Sequence, residues 1–181
     1  DNDLTKKIKE FAPDVVGLSA MTSSFKTAQK IAKLVKKINP LTTVVIGGTQ
    51  ATIMPAECLK DKNIDVAVIG EGEITMLELV QKIEKKESLE QVSGIYYKKN
   101  GKIMANAPRQ YIKNLDELPL PAWDLLNVNY YKTLPIEFPF LIPHSNLSAG
   151  RGCPFHCTYC QPTAKMMFGQ MLRIRSPRSV V

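Results

Sequence analysis

Asp14-Val15-Val16-Gly17-Leu18-Ser19, Thr43-Val44-Val45-Ile46-Gly47-Gly48 and Asp65-Val66-Ala67-Val68-Ile69-Gly70 decide the fold. Each is an apolar, β-branched run of strand length that stops at small residues. Between them the periodicity changes. Phe25, Ala28, Ile31, Ala32, Leu34, Val35 and Ile38 form one helical stripe, with Lys26, Lys30, Lys33 and Lys37 on the solvated face and Asn39-Pro40 as the stop. A second short helix is expected near Pro55–Lys60, and a third after Gly70-Glu71-Gly72-Glu73, with Ile74, Leu77, Val80 and Ile83 in phase. Leu4, Ile8 and Phe11 mark a helix before the first strand, and Ser23 or Ser24 can cap the helix after it. Strands buried on both faces and joined by helices require parallel pairing, so the expected fold is an α/β, doubly wound parallel sheet.

Working outward, Gly94–Ile103 reads as a β-hairpin turned at Asn100-Gly101 and added as an appendage. Residues 115–143 are rich in proline, including Pro119, Pro121, Pro135, Pro139 and Pro143. They are expected to form a linker packed on the domain, with Trp123, the only tryptophan, as its anchor. The expected organisation is an α/β domain over 1–114, this linker over 115–143, and a further unit from 144 to 181.

The 181 residues suffice for one well-buried domain, and 44% hydrophobic content excludes a disordered chain. No run approaches the ~18 apolar residues of a membrane span, and the first residues are neither a secretory signal nor a transit peptide. A cytoplasmic protein is expected. The net charge of +7 is local. From His144 onward there are five basic residues (Arg151, Lys165, Arg173, Arg175, Arg178) and no acidic one, leaving 19 basic and 17 acidic groups over residues 1–143. Nucleic acid binding usually needs a broader basic surface, so this balance argues against it.

The chemistry concentrates in Gly150-Arg151-Gly152-Cys153-Pro154-Phe155-His156-Cys157-Thr158-Tyr159-Cys160. Three of the four cysteines fall within eight residues, and Cys58 stands apart. Three thiolates suit three irons of a 4Fe–4S cluster and leave the fourth iron open to a ligand. The competing chemistry is zinc, with His156 completing a Cys₃His set. His156 abuts Cys157, however, and adjacent residues rarely reach one tetrahedral ion. A second constellation lies along the carboxyl edge of the sheet, where ligands of open α/β sheets bind: Ser19-Ala20-Met21-Thr22-Ser23, Gly47-Gly48-Thr49 and Gly70-Glu71-Gly72-Glu73. Tight strand-to-helix turns would account for any one of the three alone.

Cys153, Cys157 and Cys160, with Tyr159 before the last cysteine, resemble the cluster motif of the radical S-adenosylmethionine superfamily. The resemblance implies that the open iron chelates S-adenosylmethionine, that one electron yields methionine and a 5′-deoxyadenosyl radical, and that Tyr159 sits beside the adenine. Leu147-Ser148-Ala149 would be the first strand of that family's (β/α) partial barrel. Residues 12–126 resemble the flavodoxin-like cobalamin-binding domain that precedes the radical domain in one large class of these enzymes. The matching stretches are Pro13–Ser19, Val45–Gly48, Val68–Glu73 and Leu115–Pro119. By that resemblance Ser19, Thr22, Gly47, Gly48 and Gly70 line the groove for the nucleotide tail of cobalamin. The cobalt-ligating Asp-x-His-x-x-Gly run has no counterpart here, the histidines being His144 and His156.

The expected function is therefore a radical enzyme that moves a methyl group to an unactivated carbon, with a 4Fe–4S cluster, S-adenosylmethionine and cobalamin as cofactors. A small-molecule substrate and a low-potential electron donor such as flavodoxin or ferredoxin would be its partners. A radical cyclase of the same class and a non-catalytic ligand-binding module with a zinc loop stay open, as does an RNA-modifying relative. Only 21 residues follow Cys160, so the piece is expected to belong to a longer enzyme and to be inactive alone.

Overall fold

The computed structural model describes residues 2–125, 148–160 and 162–180. Pro135, Pro139, Pro143, His144, Leu147 and most of the expected linker lie outside the described residues. After helix α1 (Asn2–Phe11), strand β1 (Val15–Ser19) leads through a 3-10 turn, Thr22–Ser24, into α2 (Phe25–Ile38). Strand β2 (Thr43–Gly47), helices α3 (Thr49–Ile53) and α4 (Pro55–Lys60), strand β3 (Val66–Val68) and helix α5 (Glu73–Glu84) follow. Strands β4 (Ile95–Lys99) and β5 (Lys102–Ala105) then complete a five-stranded sheet in the order β1-β2-β3-β4-β5.

β1, β2 and β3 pair in parallel, as the apolar runs require. The hairpin is joined to the sheet: β4 pairs antiparallel with β3, Ala67 opposite Tyr96, and β5 closes on β4 through the Asn100-Gly101 turn, both residues having positive φ.

Alternation along the strands divides the core between two faces. Val44, Ile46 and Ala67 point to one face, under Ala28, Ala32 and Val35 of α2, Ile8 of α1, and Ala51, Cys58 and Leu59 of α3 and α4. Val45, Val66, Val68, Ile95 and Tyr97 point to the other, against Met76, Leu79 and Ile83 of α5. This is the doubly wound arrangement.

Helix α5 turns a different face inward from the one its sequence offers. Ile74, Leu77 and Val80 are exposed, while Thr75 and Leu79 are buried. Polar bonding sets the rotation: the Thr75 hydroxyl accepts from Arg109 Nε at 2.8 Å, and Arg109 also pairs with Glu78. Ser24 likewise does not cap α2 through its side chain; its hydroxyl accepts from Met21 N–H and donates to Met21 O.

Beyond the hairpin, Ile112 and Leu115 are buried and hold the chain down, whereas Trp123 is 41% exposed and is not the anchor. Short 3-10 turns occupy Leu115–Glu117 and Trp123–Leu125. Of the strand expected at 147–149, Leu147 lies outside the described residues and Ser148-Ala149 are not in a strand. Strand β6 (Gly150–Arg151) follows and pairs antiparallel with β7 (Arg173–Ile174), with helix α6 (Thr163–Phe168) between them and α7 (Pro177–Val180) after. Among the described residues no helix is long and apolar enough to cross a membrane.

Candidate functional site

At the carboxyl ends of β1, β2 and β3, on the α5 face, lies a cleft of about 250 Å³. Gly17, Ser19, Val45, Gly47, Gly48, Val68, Gly70, Gly72 and Met76 line it. Two glycines make it. Gly17 and Gly47 lie on neighbouring strands two residues apart in register, hence on the same face of the sheet, and a Cβ built on either would meet nothing within 4 Å. Side chains there would project into the open cleft. Gly48 serves the turn: its φ is +84°, and a Cβ would approach Ser19 Oγ to 2.9 Å and the Ala20 backbone to 3.1 Å. Of the expected contacts, Ser19, Gly47, Gly48 and Gly70 come together here, while Thr22 sits exposed in the 3-10 turn and is not part of the lining.

The second site is a cavity of about 210 Å³ lined by Cys153, Phe155, His156, Cys157, Cys160, Pro162, Ala164 and Lys165. Cys153 is half-buried, while Cys157 and Cys160 are exposed. All three cysteines share this cavity, yet among the described residues no three His, Cys, Asp or Glu side chains converge as a preformed metal set. Lys165 Nζ lies 3.1 Å from His156 Nδ1. Tyr159 is fully exposed. Cys58 is remote from the loop, fully buried between α4 and the sheet, and burial pushes its thiol up to about 11.

Three soft thiols on one cavity wall suit an iron–sulfur cluster, and a glycine-floored cleft at a parallel-sheet edge suits the flat tail of a large ligand.

Sequence reasoning missed the feature that ties the two sites together. Glu71, in the turn after β3, is 7% exposed. Its carboxylate takes Arg173 Nη1 at 2.9 and 3.0 Å, Arg151 Nη1 at 3.1 Å and the Ile112 N–H at 2.8 Å. Burial raises its pKa, but the hydrogen bonds from Arg173, Ile112 and Arg151 outweigh this and leave it below the ordinary carboxylate range. Arg151 also reaches Glu73 at 2.5 Å. The carboxyl-terminal positive charge, which could have offset the thiolates, is thus partly spent on this acidic turn. The signal was present in Gly70-Glu71-Gly72-Glu73 and the two arginines, but no periodicity pairs residues 80 to 102 positions apart.

Comparison with known proteins shows what this chain is similar to. Residues 1–80 match the B12 binding domain family. The chain is 38% identical to an uncharacterized methyltransferase, PH0819, of Pyrococcus horikoshii, over 99% of its own length and 38% of that protein's. It is 33% identical to the anaerobic magnesium-protoporphyrin IX monomethyl ester cyclase of Rubrivivax gelatinosus, over 100% of this chain and 32% of that one. Among solved structures, the cobalamin-dependent S-adenosylmethionine radical enzyme OxsB, with aqua-cobalamin and S-adenosylmethionine bound, shares the fold. Its TM-score is 0.77 at 22% identity, covering 99% of this chain and 24% of that one.

Residues 1–80 are therefore similar to B12-binding domains. Over 82% of its length the chain is also 28% identical to TokK of Streptomyces tokunonensis, a cobalamin-dependent radical S-adenosylmethionine methyltransferase, covering 20% of that protein. It spans 20 to 38% of the length of the four proteins just described.

Proposed function

We propose that the chain is the cofactor-holding portion of a cobalamin-dependent radical S-adenosylmethionine methyltransferase. In this reading residues 1–114 are the cobalamin domain, 115–143 the linker and 144–181 the start of the radical domain. The observation that carries it is the pair of sites: a glycine-floored cleft at the sheet edge and a three-thiol cavity, joined through Glu71.

Ser19, Gly47, Gly48 and Gly70 would hold the tail of cobalamin. Cys153, Cys157 and Cys160 would ligate the cluster, and Tyr159 would stack beside the adenine. When bound, these groups supply a 5′-deoxyadenosyl radical and a transferable methyl group. The chain's own share is to bind and orient: the glycines keep side chains out of the cleft, and the exposed Cys157, Tyr159 and Cys160 leave the cavity open to a cosubstrate. The substrate is a small molecule, the electron donor a flavodoxin or ferredoxin, and the compartment the cytoplasm.

Anaerobic reconstitution followed by iron and sulfide analysis tests the loop, and titration with aquocobalamin tests the cleft. In the full-length enzyme, four irons and four sulfides per polypeptide, with 5′-deoxyadenosine released under strong reductant, is the expected result. One equivalent of zinc without sulfide would replace this reading with a binding module. The similarity to an ester cyclase favours a second outcome of the same chemistry, ring formation without net methyl transfer. Product analysis for a methylated compound separates the two.

A further inference from the structure

We propose that Glu71 is a positioning residue for the first cysteine of the loop, acting through Arg173 and Arg151 on the backbone that carries Cys153. The inference deepens the reading of the three cysteines as cluster ligands and rests on it.

The connections run stepwise. Arg151 and Arg173 face each other across the β6–β7 pair, and both side chains end on the Glu71 carboxylate. Arg173 also donates to Phe168 O and Ile112 O, each at 2.6 Å, and its guanidinium lies 5.2 Å from the Tyr111 ring centre. That ring packs on Gly169, where a Cβ would come within 2.6 Å of it. The Gly169 carbonyl in turn accepts the Cys153 N–H at 3.2 Å. On the other side, Gly152 lies so close to Met171 that a Cβ there would collide with the Met171 carbonyl. The backbone at Gly152 and Cys153 is therefore held against Gly169 and Met171, on the segment between α6 and β7 that Arg173 ties to the Glu71 carboxylate.

Stability alone is a weak reason for this arrangement. A carboxylate with two guanidiniums is costly to desolvate, and apolar residues of similar volume often serve a fold as well or better. What a buried, directional triad adds is placement. Gly70, adjacent in sequence to Glu71, lines the cleft, so the same turn borders one site and fixes the other. Groups that orient metal ligands without touching the metal typically change affinity or activity 10–100-fold when removed.

The test compares the reconstituted full-length enzyme, as wild type, with its Glu71→Gln variant, which keeps size and removes charge. Three measurements are made: iron and sulfide content, the electron paramagnetic resonance signal of the reduced cluster with S-adenosylmethionine, and amide exchange. The variant is expected to retain iron and sulfide and to show an altered signal with cosubstrate. It should also cleave S-adenosylmethionine at least tenfold more slowly and lose exchange protection at residues 150–153 but not at 43–47. An unchanged signal and cleavage rate, or unchanged protection at 150–153, overturns the inference. A wild type without sulfide shows instead that the cluster reading has failed; the exchange arm, which needs no metal, then decides placement by itself. If Glu71→Gln disturbs the sheet, Arg151→Gln, with a side chain 19% exposed, carries the same comparison.

Discussion

The Thr52 hydroxyl accepts the Gly70 N–H at 3.0 Å and donates to the Gly48 carbonyl at 2.9 Å. One side chain on α3 thus links the turn after β2 to the turn after β3. These are the two turns that bound the cleft where β2 and β3 end.

Thr52→Val keeps the shape and removes both bonds. Leaving the Gly70 N–H without its acceptor is expected to cost about 1–3 kcal/mol. Urea unfolding should show that loss, and aquocobalamin titration should show weaker binding. An unchanged midpoint would mean that water replaces the hydroxyl.

The glycines of the cleft separate space from conformation. Gly17→Ala and Gly47→Ala add a methyl where nothing stands within 4 Å, at an ordinary φ. Thermal stability is expected to hold or to rise by about 0.4–1 kcal/mol, because the unfolded chain loses freedom. Cobalamin binding should fall, since the methyl enters the cleft. Gly48→Ala should do the reverse first, unfolding at lower temperature because φ is +84° and Ser19 Oγ is 2.9 Å away.

Acid should loosen the Glu71 junction. Its folded pKa lies below the unfolded value of about 4.3, so its contribution is complete above that pH and is lost as pH falls through the folded value. The pKa values of Glu87, Glu90 and Asp116 are lowered as well, each by a hydrogen-bonding partner at the surface. The Glu71 share is therefore the difference between the wild-type and Glu71→Gln curves of stability against pH. Curves that stay parallel from pH 6 to 3 would assign the acid sensitivity to the surface carboxylates.

The cysteines should divide sharply. With a thiol pKa of about 11 and no exposed surface, Cys58 is thiolate in about one part per thousand at pH 8. Iodoacetamide should leave it unmodified until the protein unfolds, while modifying Cys157 in the metal-free protein. Cys157→Ala should abolish the brown colour of the reconstituted protein, and Cys58→Ala should preserve it. Loss of colour in the Cys58 variant would reassign the ligands.

The three parallel strands, α2 and the hairpin were legible because each announces itself within ten or fifteen residues, by alternation, by a 3.6-residue stripe or by Asn100-Gly101. The rotation of α5 was not, because it depends on Arg109, 34 positions from Thr75. Helix α3 was hidden for a similar reason. Thr49-Gln50-Ala51-Thr52-Ile53 carries little helical signal, and its place is set by the Gly48 turn and by Gln50 N–H reaching Ala20 O at 3.0 Å. The lining of the cleft by Ser19, Gly47, Gly48 and Gly70 was readable from their position after strands. Thr22 was carried along by its neighbours and lies off the cleft. Glu71 stood in plain view as one of two acids in a tight turn, yet what makes it matter is two arginines far downstream.

That distance has a consequence for biosynthesis. Chains emerge amino-terminus first, and domains tend to fold as they emerge. The sheet and its carboxylate can form while Arg173, 102 positions later, is still unmade. The thiol loop acquires its shape only after the sheet exists to receive it. Iron delivered before that moment would meet three cysteines on a slack strand; delivered afterwards, it meets them on a finished scaffold.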